Sequence, residues 1–189
     1  MKLVFAQGNP EPEYASTRHN IGFTVLDAIV GDNNSKWEKR AKFDAITAEI
    51  DINGEKVIFA KPTTYYNETG ISARKIIDFY KINPETDMLI IHDDLTLPFG
   101  TVRVRNQGGD AGNNGIKSIN SHINHPYTRI KIGIYNELRE KVDDADFVLA
   151  KFSADEQQKM TESVIPKVIK LVGSFCDGNI ELTSIKTEN

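Results

Sequence analysis

Six polar side chains stand where apolar runs give way to loops in this 189-residue chain: Asn9, His19, Asn67, Asp93, Asn113 and Asn114. One histidine, one aspartate able to orient it, and several amides suit a His–Asp pair that activates water. The amides would hold a carbonyl or its oxyanion. Asp93 would accept from one imidazole nitrogen and make the other more basic. Singly, each Asn reads as a turn or helix cap and the lone His as a surface residue. Their joint occurrence favours a site.

Other chemistries find less support. The four histidines (19, 92, 122 and 125) form no metal-binding helix pair and have no cysteine partners, so no metal is expected. His122 and His125 read as a surface helix end. In His92-Asp93-Asp94 adjacent strand residues alternate faces, so only part of the run can face one pocket. There is no Gly-x-Ser-x-Gly elbow and no phosphate-loop lysine motif. Cys176 reads as packing. The loop Gly108–Gly115 lacks the dinucleotide glycine order, although its glycines permit close backbone approach to a ligand.

The elements that must position these residues follow from the hydrophobic pattern. Residues 2–7 read as a buried strand and 20–31 as a helix, with Phe23, Leu26, Ala28 and Val30 on or near its buried side. Asn53-Gly54 marks a hairpin between Phe43–Ile52 and Glu55–Ala60. Ala73, Ile76, Ile77 and Tyr80 mark a helix that Pro84 is expected to stop. Met88–Ile91 reads as a short strand running into His92, Thr101–Arg105 as another, and Thr128–Ile134 as a third. The glycine loop opens a helix through Ile116, Ile119 and Ile123. Asn136–Asp146 reads as a polar loop or short lid. Ser153 and Glu156 form a capping box before a long amphipathic helix that Pro166 should kink or divide, with Gly178 at its end. Strands alternating with helices favour an α/β domain with parallel members.

Length and 39% hydrophobic content allow one sizeable core. No apolar stretch approaches the ~20 residues that span a bilayer, and Met1-Lys2 runs directly into a strand, so no leader is expected. A soluble, cytoplasmic protein is the expectation. The net charge of −4 argues against a general nucleic-acid binder, but the charge is uneven. Between Thr101 and Tyr135, Arg103, Arg105, Lys117, Arg129 and Lys131 face a single acid, Asp110. That local +4 leaves −8 for the rest and makes a localised basic patch.

In these blocks the chain resembles the bacterial peptidyl-tRNA hydrolase family. The likeness is collinear over nearly the whole length. It rests on Lys2-Leu3-Val4-Phe5, Gly8-Asn9-Pro10-Glu11-Pro12-Glu13-Tyr14, Thr17-Arg18-His19-Asn20-Ile21-Gly22-Phe23 and Lys61-Pro62-Thr63-Thr64-Tyr65-Tyr66-Asn67. It continues through His92-Asp93-Asp94-Leu95, Leu97-Pro98, Gly100, Gly108-Gly109 and Gly112-Asn113-Asn114-Gly115-Ile116-Lys117. Arg129 to Ile134 and Phe147 to Phe152 complete it.

The resemblance implies an enzyme of translation and ribosome rescue that cleaves the ester between a peptide and the 3′-terminal ribose of tRNA, without metal or cofactor. It implies His19 as general base, Asp93 as its holder, and Asn9 as the residue telling blocked from free aminoacyl groups. Tyr14, Tyr65, Tyr66, Asn67, Asn113 and Asn114 would meet the peptidyl-tRNA end. Arg103, Arg105, Lys117, Arg129 and Lys131 would meet tRNA phosphates. The implied fold is one hydrolase-like α/β domain over 1–189, a mixed, largely parallel twisted sheet with helices on both faces. It would be a monomer, with 136–152 a mobile lid and 183–189 a loose tail.

Three positions depart from the family pattern. Asn113 stands where a His is usual, which predicts altered substrate positioning and a simpler pH profile with activity retained. Tyr66 stands where Met is common, narrowing the peptide-end pocket or adding a hydroxyl. Ala6-Gln7-Gly8-Asn9-Pro10-Glu11 makes a less flexible turn than the glycine-richer family form. The alternative reading is a tRNA- or RNA-binding module with weakened catalysis. A different hydrolase on a similar scaffold is a third.

Overall fold

The computed structural model describes residues 1–186. Its centre is β1 (Lys2–Ala6), whose Leu-Val-Phe-Ala run is buried on both faces, the pattern expected of an interior parallel strand. It lies between β4 (Glu55–Pro62) and β5 (Met88–Pro98), parallel to both, and β7 (Thr128–Tyr135) adds a fourth parallel strand beside β5. Antiparallel strands form the two wings. On one side are β2 (Glu38–Arg40) and β3 (Ala45–Ile52), on the other β6 (Thr101–Arg105) and β8 (Thr183–Lys186). The order is β2-β3-β4-β1-β5-β7-β6-β8. The sheet is therefore mixed, as expected, with its parallel part confined to the four central strands.

Alternation along these strands divides the core into two layers. Val4, Ala6, Leu89 and Ile91 pack against α1 (Ile21–Asp32) and α7 (Ile165–Cys176). Leu3, Phe5, Met88 and Ile90 pack against α2 (Thr69–Tyr80) and α4 (Asn114–His122). Asn53 and Gly54 take the positive φ angles of 55° and 84° that a two-residue hairpin needs. Ser153 and Glu156 make both bonds of the capping box. Pro166 falls at the start of α7, where a π-helical turn, Met160–Val164, separates that helix from Ala154–Lys159.

Several expectations need correction. Pro84 does not stop α2; the helix ends at Tyr80, with Lys81 in the left-handed region (φ 57°), and Pro84 opens a short turn of its own. β5 extends through His92-Asp93-Asp94 to Pro98 instead of ending before them. The tail is not loose through 186, because β8 pairs with β6 from Thr101↔Lys186 to Val104↔Thr183 and satisfies that edge. The last three residues of the expected tail lie outside the described residues.

The segment 136–152 is not a free lid throughout. Phe147, Val148 and Phe152 are buried in the α1/α7 layer, and Thr17 bridges Lys151. Only its first part, 137–146, runs over the surface, in a 3-10 turn at Glu137–Glu140 and the start of α5 (Asp144–Leu149). No helix among the described residues is long and apolar enough to cross a membrane.

Candidate active site

β1 connects outward to β4 on one side while β5 lies on the other, so the chain leaves the carboxyl ends of these strands in opposite directions. In open α/β sheets that point opens a crevice. Here Gln7, Asn9 and His19 follow β1, Tyr66 and Asn67 follow β4, Asp93 sits on β5, and Asn113 caps α4.

His19 comes from a 3-10 turn, Arg18–Asn20, directly before α1. Its Nδ1 lies 2.8 Å from Asp93 Oδ2. Asp93 is 1% exposed, so this contact is shielded from water. With Nδ1–H donated to the carboxylate, Nε2 is left as the basic nitrogen. Asn20, which follows, fixes the other side of the loop. Its Nδ2 donates to Asn9 O and its Oδ1 accepts from Asn9 N, both at 2.8 Å. Asn20 and Gln7 were not singled out by sequence reasoning, although Gln7 ends an apolar run two residues before Asn9 and Asn20 directly follows His19.

Tyr66 is buried and outside the cleft lining, and of the two readings of its departure the contacts display the added hydroxyl. Its ring stacks on the His19 imidazole, centroids 3.7 Å apart and planes 14° from parallel. Its hydroxyl lies 2.9 Å from both Asp93 Oδ1 and Gln7 Oε1. Burial, reinforced by the Asp93 charge, pushes the phenol well above its ordinary range, so it stays a neutral donor. Asn113 is committed as well. Its Oδ1 accepts from Ile116 N as the helix cap, and its Nδ2 donates to Tyr66 Oη at 2.9 Å. Its amide is thus engaged within the protein at a position that lines the cleft.

His19, Asp93, Asn113 and Asn114 line a cleft of about 150 Å³ closed on one side by Asp144, Ala145 and Val148 of α5. His92 also lines it. Burial pushes His92 down to about 4 while its Nδ1 lies 2.6 Å from Asp93 O, so the ring is neutral at pH 7. Asn9 lines an adjoining depression with Phe23 and Lys61. Asn67 is exposed, Tyr65 is 68% exposed and Tyr14 is half-buried, all outside the cleft lining.

The basic positions separate into two kinds. Arg103 pairs opposite Lys131 and Arg105 opposite Arg129, which puts all four on one sheet face. They border a single shallow depression with Gln107–Gly109. Lys117 is exposed on α4 and is not in that lining. Arg105 donates to Val104 O and Thr183 O, and Arg103 Nε to Ser184 Oγ, so β8 orients both guanidiniums. Lys131 is ion-paired to Asp94 at 2.5 Å.

The phosphate role implied for Arg129 meets a guanidinium already committed within the protein. The residue is 3% exposed and donates to the carbonyls of Gln107, Gly108 and Gly109 at 2.8, 2.8 and 3.0 Å, holding the glycine loop in shape. Arg129→Ala is expected to lower stability by about 2–4 kcal/mol, read as a fall in the thermal midpoint.

The family model described as peptidyl-tRNA hydrolase matches residues 3–188. The peptidyl-tRNA hydrolase of Fusobacterium nucleatum is 45% identical over 162 residues, 86% of this chain and 83% of that protein. That of Wolinella succinogenes is 42% identical over 182 residues, 96% and 90% of the two chains. The crystal structure of peptidyl-tRNA hydrolase from Acinetobacter baumannii superposes with a TM-score of 0.86 at 33% identity, covering 95% of this chain and 90% of that one. With a match of this length in both sequence and fold, the chain belongs to the peptidyl-tRNA hydrolase family.

Proposed function

We propose that the protein hydrolyses the ester between a peptide and the 3′-terminal ribose of peptidyl-tRNA, with His19 as general base. The observation that carries this reading is the 2.8 Å contact between His19 Nδ1 and the buried Asp93 carboxylate at the cleft wall. His19 Nε2 takes a proton from water as the oxygen attacks the ester carbonyl. Collapse of the tetrahedral intermediate breaks the bond to the ribose oxygen, which receives that proton from the imidazolium. The products are tRNA with a free ribose hydroxyl and a peptide carboxylic acid, which loses the second water proton to solvent. Asn114 lines the cleft and its side-chain amide is assigned to the oxyanion; Asn9, whose main chain Asn20 clamps next to the His19 turn, lines the depression with Phe23 and Lys61 and is assigned to the peptide end.

Arg103 and Arg105, with Lys131 tempered by Asp94 and Lys117 on the neighbouring helix, form the surface for tRNA phosphates. Such contacts position the substrate without reading its sequence. A monomer acting in the cytoplasm without a cofactor fits this reading. The test is release of free tRNA from N-acetylated aminoacyl-tRNA by the purified protein. Turnover supports the proposal; salt-sensitive tRNA binding without turnover would replace it with a binding module.

A further inference from the structure

We propose that Tyr66 is a positioning residue for the His19–Asp93 pair, holding the imidazole by its ring face and the carboxylate by its hydroxyl. This rests on the hydrolytic reading above and extends it to a residue that meets no substrate. The stack at 3.7 Å and 14° fixes the plane of the imidazole. The two carboxylate oxygens are divided, Oδ2 for His19 Nδ1–H and Oδ1 for the phenol, so Asp93 cannot rotate without losing a donor.

The hydroxyl has one proton and two acceptors at 2.9 Å, Asp93 Oδ1 and Gln7 Oε1. The carboxylate is the stronger acceptor and takes it. Gln7 can then turn its amide nitrogen to the phenol oxygen and its carbonyl to Thr69 Oγ1, which faces the other end of that amide. Asn113 Nδ2 supplies the second donor to the phenol oxygen. Every polar atom of this buried cluster is then matched, and a buried cluster matched throughout is rigid.

Packing closes the arrangement. At Gly115 a Cβ would lie 2.7 Å from the Tyr66 ring and 2.5 Å from the Gln7 amide, so the bare backbone of α4 is what lets the ring reach its place. Tyr66 and Asn113 therefore form one unit. Asn113 supplies the donor that the phenol requires while its carbonyl caps the helix.

The test compares Tyr66→Phe, which keeps the stack and removes the hydroxyl, with Tyr66→Leu, which removes both. Turnover of N-acetylated aminoacyl-tRNA by Tyr66→Phe should fall about 10- to 100-fold in kcat with KM nearly unchanged, and Tyr66→Leu should fall further. The downfield proton signal of the His19 Nδ1–H···Asp93 bond, assigned by its loss in Asp93→Ala, should shift or broaden in Tyr66→Phe while the folded spectrum is otherwise kept. That signal needs no turnover, so it tests the positioning role even if the substrate assignment fails. Wild-type kcat with an unmoved signal in Tyr66→Phe would overturn the proposal. A raised KM at unchanged kcat would also overturn it, by placing Tyr66 among the substrate contacts.

Discussion

His19→Ala should lower the rate of peptidyl-tRNA hydrolysis by about 10²–10⁴-fold, the range expected when a positioned general base is lost. The expectation follows from a site with few alternatives. His92, the other imidazole at the cleft, is pushed down to about 4 by burial and lies against the Asp93 carbonyl, so it is a poor substitute base. Cys176 is buried away from the cleft lining, and burial pushes its thiol up to about 11, so it offers no rescue. The measurement is single-turnover release of tRNA under saturating enzyme. His19→Ala also takes the donor from the buried Asp93 Oδ2, so the thermal midpoint is measured beside the rate, and tRNA binding should persist. Asp93→Asn separates orientation from charge: the contact distance can survive while the acceptor preference is lost, and the rate should fall nearly as far. Full activity in His19→Ala would remove the proposed mechanism.

How much of this site was legible beforehand depends on what kind of signal each residue carries. His19 and Asp93 stood at the ends of apolar runs, and the parallel centre of the sheet brings such ends together, so their meeting could be inferred from pattern. β1, β4, α2 and α4 were legible for the same reason: each has a clear hydrophobic period. β8 was not, because Thr183–Lys186 has too little apolar content to announce a strand and is held by the free edge of β6. The fate of Arg129 was illegible too. Its alternation with Lys131 placed it correctly on a face, but nothing in the sequence says that the glycine loop folds over that face and consumes the guanidinium. Asn113 looked like a lost histidine, and Tyr66 like either a narrowed peptide-end pocket or an added hydroxyl. Only the three-dimensional contact between them shows two departures acting as a single unit.

The second large effect concerns Arg18, the neighbour of His19. Its guanidinium is 2% exposed, lies between the rings of Phe147 and Phe152 at 4.9 and 4.8 Å, and donates through Nη2 to Glu156 Oε2 at 2.9 Å. Among the described residues its Nε and Nη1 find no hydrogen-bond partner, so Glu156 is its one anionic counterpart. Glu156 also accepts from Ser153 N, closing the capping box, and from Asn136 Nδ2 at 2.6 Å. One carboxylate thus ties together the His19 turn, the start of 136–152 and the helix after it. Glu156→Ala leaves a buried cation without compensation and should cost about 3–5 kcal/mol. For a chain of this size that is roughly a 10 °C fall in the thermal midpoint. Glu156→Gln retains the cap and isolates the charge. Burial pushes the Glu156 carboxyl up, but the bond from Arg18, the Ser153 amide and Asn136 outweigh it and hold the group below its ordinary value. A carboxyl lowered on folding contributes stability that is complete above its unfolded value of about 4.3 and lost as pH falls through the folded one. Wild-type stability should therefore decline on acidification below about pH 5 more steeply than that of Glu156→Gln. Pairing Arg18→Met with Glu156→Gln should recover part of the loss, since removing both charges leaves no orphan in the aromatic sandwich. Equal midpoints for wild type and Glu156→Ala would mean that the aromatic rings alone sustain Arg18, and that His19 does not depend on this tie for its place.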